Sequence, residues 1–134
     1  MVQVKLNLQY AHNSHEESED KPIKLAEEAL MEFDDFDWVG QAKEANKLQK
    51  CAPTLSLIIN EGKEYIWVSP FENNNGLTFV SECYFPCVVP SWFGLSKKQG
   101  TINLSSQSLS LSDARRVIEH FIKKEHDNLR TMYA

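Results

Sequence analysis

The first ten residues alternate between apolar and polar side chains. The apolar ones are Val2, Val4, Leu6, Leu8 and Tyr10. A period of two places alternate side chains on the same side of an extended chain, so the pattern predicts a half-buried strand. The polar stretch from His12 to Asp20 shows no periodicity. We therefore expect it to be an exposed connection.

From Ile23 to Phe36 the apolar residues recur at helical spacing, within an arc of about 140°. Pro22 is placed to open this helix, because the first helical residue needs no N–H donor. Five acids occupy the opposite side of the predicted helix: Glu27, Glu28, Glu32, Asp34 and Asp35. Asp37 would lie on the apolar side, so the helix is predicted to end near Phe36. The next segment, Trp38–Gln49, is ambiguous: Ala42, Ala45 and Leu48 suit a short second helix, but Gly40 weakens it.

Three β-rich segments come next along the chain. Thr54–Asn60 and Tyr65–Phe71 flank the turn sequence EGKE and predict a hairpin. Leu77–Phe85 predicts a third strand, with Phe79, Ser81, Cys83 and their alternate neighbours on one side. Pro86 and Pro90 are expected to break the chain into an apolar loop or short strand. Thr101–Leu104 is a candidate for one further short strand.

The last helix is predicted after Ser110 or Ser112, which are both candidate N-caps. Its apolar face carries Ala114, Val117, Ile118, Phe121 and Ile122. The tail after Asp127 is expected to be loose. The order β-α-β-β-β-α predicts an α+β fold, an antiparallel sheet of about four to five strands with two amphipathic helices packed on it. We expect residues 1–134 to form one domain.

Composition narrows the classes of protein to which the chain can belong. With 42% apolar and 25% charged residues, the chain is expected to be globular. It contains no run of about 18 apolar residues, and no secretory signal is visible, so we expect a cytoplasmic protein without a membrane partner. A net charge of −5 disfavours nucleic acid as a partner, because phosphate binding needs a basic surface.

The negative charge is concentrated in one segment. Residues 16–37 contain ten acids and two lysines and carry a charge of −8, whereas the rest of the chain carries +3. Such a segment is either a solvated helix face or a docking surface for a basic partner. Trp38, next to it, is either a core anchor or an interface hot spot. Trp67, between two apolar strand residues, is expected in the core.

Candidate reactive groups are few. The chain has an odd number of cysteines, and they form no CxxC pair; they are Cys51, Cys83 and Cys87. We therefore expect them to be small buried apolar residues, and we expect no disulfide framework. His12, His15 and Glu16 have metal-ligand chemistry, but they lie in a polar segment that nothing is expected to hold in place. The nucleophile-elbow, P-loop and dinucleotide-binding motifs do not occur in the sequence. We therefore expect no metal, no cofactor and no catalysis.

The chain resembles small bacterial immunity proteins of the contact-dependent growth inhibition or polymorphic-toxin kind. The resemblance rests on the N-terminal strand with its acidic helix, on the hairpin Pro53–Glu72 and on the closing segment Leu109–Lys124. It implies a stoichiometric inhibitor in the cytoplasm that blocks a cognate toxin, often a nuclease with a basic cleft. An acidic protein surface can occupy such a cleft, and complementary charge speeds association.

The charge argument supplies the expected contact residues. They are Glu27, Glu28, Glu32, Asp34, Asp35, Asp37 and Trp38. One alternative is a small-ligand or regulatory module with a pocket under the 86–95 loop, where aromatic and apolar residues could line a cavity. Another is a hydrolase that uses cysteine or histidine. The oligomeric state is open, because consecutive strands can leave an unpaired sheet edge.

Overall fold

A computed structural model describes residues 4–11, 18–48, 52–73, 76–90 and 97–133. The strands are β1 (Val4–Gln9), β2 (Glu19–Ile23), β3 (Thr54–Ile59), β4 (Glu64–Asn73), β5 (Gly76–Pro90) and β6 (Lys97–Leu109). The helices are α1 (Ala26–Asp35), α2 (Trp38–Leu48), α3 (Leu111–Ile122) and α4 (His126–Tyr133). The α+β class is confirmed. The described residues form six strands and four helices, rather than four to five strands and two helices.

All strand pairs are antiparallel, and the sheet order is β2-β1-β3-β4-β5-β6. The predicted hairpin is β3–β4, in which Leu55 faces Val68 and Leu57 faces Ile66. Its connection is a short 3-10 turn, and Gly62 adopts a φ of 96°, a left-handed conformation that glycine accepts without strain.

One face of the sheet packs against the helices to form the core. The face contributes Leu6, Leu55, Leu57, Ile66, Phe79 and Phe85, and the helices contribute Phe33, Val117, Ile118, Phe121 and Leu129. Cys83 is fully buried on this face, and burial raises the pKa of its thiol to about 12. The expected role as a small buried residue is confirmed for Cys83. Cys51 and the side chain of Cys87 lie outside the described residues, as do His12, His15 and Glu16.

The opposite face of the sheet carries Tyr65, Trp67 and Tyr84. The rings of Tyr65 and Tyr84, which are register partners, stack at 5.5 Å. Trp67 is half-buried here, so its expected place in the core is wrong. The alternation of β4 explains the difference, because Ile66 and Val68 point to the core and Trp67 must point away from it.

Pro22 does not open a helix. It lies in β2, an edge strand that includes Glu19 and Asp20 from the expected connection. An edge strand accepts proline because one side of its backbone needs no N–H donor. The helix α1 begins three residues later than predicted, at Ala26, and it ends at Asp35 with Phe36 as its C-cap, as predicted.

The prolines of β5 do not break the strand. β5 continues through Pro86 to Pro90, where it pairs with β6 as far as Lys97. The last β4–β5 pair is Tyr65 with Tyr84, so among the described residues β5 needs no donor on the β4 side beyond that point. Proline is therefore tolerated there. The short strand predicted at Thr101–Leu104 is the middle of the 13-residue strand β6.

The C-terminal tail is not loose. His126–Tyr133 form α4, in which Leu129 is fully buried and the Tyr133 hydroxyl lies 2.6 Å from the hydroxyl of Ser81.

The helix α3 is capped by Ser110, which accepts a hydrogen bond from the Asp113 N–H at 3.1 Å. This confirms one of the two candidate caps. Within the described ranges, no helix has the length and apolarity needed to span a bilayer.

Candidate protein-binding surface

The helix α1 is oriented by its apolar side. Ala29, Leu30 and Phe33 are buried against the core, so the opposite side of the helix points to solvent. At about 100° per residue, Glu27, Met31 and Asp35 follow one another along that outer side. We call these three residues the α1 crest. Both carboxylates are exposed, and Met31 between them is 63% exposed.

Two of the predicted contact acids have local structural roles. Glu28 lies in the first turn of α1, and its carboxylate accepts hydrogen bonds from the N–H groups of Leu25 at 2.8 Å and Lys24 at 3.0 Å. These bonds satisfy backbone donors that precede the helix, as in a capping box. The Asp37 carboxylate accepts from the Gly40 N–H at 3.1 Å and caps α2.

Two further acids form ion pairs on the flanks of α1. Lys21 of β2 lies 3.0 Å from a Glu32 carboxylate oxygen, and this hydrogen bond raises the pKa of Lys21. On the other flank, Arg115 of α3 binds both carboxylate oxygens of Asp34, at 2.9 and 3.0 Å, which raises the pKa of the guanidinium. The bidentate geometry fixes α3 relative to α1. The carboxylates of Glu27 and Asp35 form no hydrogen bond or ion pair within the described part of the chain.

Trp38 is a core residue. It is 5% exposed, and its indole N–H donates to the Phe33 carbonyl oxygen at 2.9 Å. Its ring centroid lies 4.1 Å from that of Phe36 and 5.2 Å from that of Phe79. Of the two roles that the sequence left open, the structure gives Trp38 that of a core anchor, so we leave it out of the contact surface.

A groove of about 420 Å³ lies beside the C-terminal end of α1. Its walls come from the α1–α2 corner, from Leu77 of β5 and from the first turn of α3. Val39 and Leu111, which line it, are each 49% exposed, and Asp34, Asp37 and Arg115 stand among its lining residues. The groove thus combines exposed apolar surface with two carboxylates, one of which is already paired with Arg115.

Sequence reasoning missed the apolar part of this surface. Met31, Val39 and Leu111 are single exposed apolar residues in polar helices, and such residues carry no sequence signal of their own. The pairing of Asp34 with Arg115 joins residues 81 positions apart. Only the packing of α3 beside α1 brings the two together.

The pocket predicted under the 86–95 loop stays a prediction. Residues 86–90 are strand, and residues 91–96 lie outside the described residues.

Within the described residues, no group of three or more histidine, cysteine, aspartate or glutamate side chains could hold a metal ion. No protein-family model, no curated protein and no solved structure matches the chain.

Proposed function

We propose that the chain is a non-catalytic immunity protein that binds and neutralises a cognate bacterial toxin domain with a basic surface. The observation that carries the proposal is the α1 crest, on which Met31 is 63% exposed between the carboxylates of Glu27 and Asp35. Protein interfaces combine an apolar anchor that becomes desolvated with a charged rim that steers association.

The charge of the crest favours a basic partner. Lys21 and Arg115 pair with Glu32 and Asp34 and offset the charges of those two acids. The crest acids have no such offset in the described part of the chain. A carboxylate pair on a rigid helix suits the cationic side chains that line the cleft of a nuclease.

The groove beside the crest supports the same proposal. Val39 and Leu111 can receive an apolar side chain of the partner, while the rim carboxylate of Asp37 accepts a cationic one. Crest and groove both border the exposed C-terminal end of α1, where Asp34 and Asp35 are neighbours. A partner that lies along α1 would contact both.

Co-expression tests the function. We expect a toxin domain to be encoded next to the gene of this chain; that domain is expressed in bacteria with and without the chain, and growth is measured. We expect growth to stop with the toxin domain alone and to resume with the chain present, with a one-to-one complex on purification. An unrelated toxin domain of similar charge serves as the control and should still stop growth. Continued growth arrest in the presence of the cognate pair, or rescue without a complex, would contradict the proposal.

A further inference from the structure

The strand β6 forms one edge of the sheet. It is 13 residues long and pairs with β5 on one side, and it has no strand on its outer side among the described residues. An edge strand presents a row of unpaired N–H and C=O groups that can pair with another chain. Proteins commonly protect such edges with charged residues, proline, short length or a covering element.

The two edges of this sheet differ in that protection. The strand β2, at the other edge, has only five residues, EDKPI, of which three are charged and one is Pro22. The segment of β6 from Gln99 to Leu109, QGTINLSSQSL, contains no charged residue and no proline. From Gln99 to Ser106 the β6 edge therefore lacks the charges and the proline that protect β2, whereas Lys97 and Lys98 precede this stretch and a register irregularity opposite Phe79–Ser81 of β5 follows it.

We propose that two copies of this chain pair antiparallel through their β6 edges about a two-fold axis. The uncharged segment favours a second copy over a charged partner, because self-pairing brings identical residues close together and like charges directly opposite would oppose it. The product is one continuous sheet across both copies, with the helices of each on the same face.

The apolar pattern sets the register of this pairing. Ile102 and Leu104 are half-buried on the core side of β6. With Asn103 on the two-fold axis, Ile102 lies opposite the partner's Leu104, and Leu104 lies opposite the partner's Ile102. Any shift by one residue would place core-side against open-side residues, which sheet geometry forbids.

The same register separates the charges. Lys97 and Lys98, at the start of β6, lie opposite the segment that ends at the partner's Leu109, so the lysines of the two copies stand at opposite ends of the interface. At the axis, the exposed Asn103 faces the partner's Asn103, where two amides can hydrogen-bond.

The helix α4 packs beside β6 on the core side of the sheet. Its first residue, His126, stacks on Phe85 of β5 at 3.9 Å, and its last, Tyr133, reaches Ser81 of β5. Among the described residues no backbone hydrogen bond joins α4 to β6, so α4 does not pair the outer N–H and C=O groups of β6. Ile102 and Leu104 gain cover from a strand of a second copy.

Sedimentation velocity over a concentration series up to about 1 mM tests the proposal. We expect the wild-type chain to approach twice its mass of 15.4 kDa. Asn103→Lys and Asn103→Asp place like charges at the axis, and each should raise the dimer dissociation constant about fivefold. An equimolar mixture of the two variants should form heterodimers in excess of the statistical share in native mass spectrometry. Asn46→Lys, a matched change on exposed α2, should leave the dimer unchanged.

Circular dichroism confirms that each variant is folded before its mass is compared. A wild-type chain that stays monomeric, with β6 free for a strand of another protein, would overturn the proposal. So would Asn103 variants that dimerise as well as the Asn46→Lys control, or a mixture that pairs at random.

Discussion

The imidazole of His126 is held against an aromatic ring. Its centroid lies 3.9 Å from that of Phe85, with an angle of 17° between the ring planes. Burial is the largest cause of a lowered pKa for His126, and the nearby cations Lys124 and Arg130 lower it further, against the opposing effect of Glu64 and Asp127. The folded protein therefore favours the neutral imidazole.

This pKa shift predicts a loss of stability in mild acid. Because the pKa is lower in the folded than in the unfolded chain, the unfolded chain binds more protons as the pH falls. The free energy of unfolding should be highest above about pH 6.5, the ordinary histidine value, and should decrease as the pH falls below it. In His126→Gln this contribution should vanish, so urea unfolding between pH 7.5 and 5.5 should show a smaller decrease for the variant. Parallel curves for the two proteins would contradict the prediction.

The absence of a side chain at Gly40 allows Asp37 to cap the helix α2. Sequence reasoning treated this glycine as a weakness in a short helix. A Cβ at this position would collide with the carboxylate of Asp37, which caps the Gly40 N–H. The missing side chain thus makes room for the cap that starts α2. The charge of Asp37 was visible in the sequence, whereas its role as a cap depends on backbone geometry.

At the scale of elements, α4 contributes to the core. Leu129 is fully buried in the main cluster, although it lies in a polar segment, HDNLRTMY. Truncation of a fully buried apolar side chain costs stability, because both contacts and buried area are lost.

Leu129→Ala should therefore lower the free energy of unfolding by about 2–5 kcal/mol, as measured by urea denaturation. Leu48→Ala provides the matched control, since Leu48 is 41% exposed at the end of α2 and should change stability by less than about 0.5 kcal/mol. Equal effects of the two substitutions would show that α4 does not pack as described.

The elements that the sequence predicted share strong periodicity. The strands β1, β3 and β4 alternate clearly, and α1 and α3 each bury a helical stripe of apolar residues. The missed elements lack that signal. β2 is charged and contains a proline, and α4 buries a single leucine among polar residues. Their structure depends on pairing with β1 and on docking against the core, and both are tertiary effects that override local propensity.

For the whole molecule, the arrangement of layers decides which acids can meet a partner. Because the helices bury one side on the sheet, all five predicted acids of α1 avoid the core, as expected. Their partners nevertheless differ. Glu28 caps the helix, Glu32 and Asp34 pair with cations, and the crest acids remain available. The sequence predicted the acidic side of α1. Which of its acids pair with cations could be seen only from the positions of β2 and α3, which supply Lys21 and Arg115.

The different contacts of these acids determine which of them can be substituted in a binding test without affecting the fold. Reversing Glu28 would remove a cap, and reversing Glu32 would place it against Lys21, so both changes alter folding as well as charge. Glu27→Lys with Asp35→Lys changes only crest acids. Glu44→Lys with Glu72→Lys makes the same change in net charge at exposed positions on α2 and β4.

The affinity of these two double variants for the cognate toxin domain tests the central claim most directly. Isothermal titration calorimetry at low and moderate salt should show that the crest variant binds at least about tenfold more weakly than the wild type, with a smaller salt dependence. The control variant should keep an affinity close to that of the wild type. Equal dissociation constants for the crest and control variants would contradict the claim that the α1 crest binds the toxin.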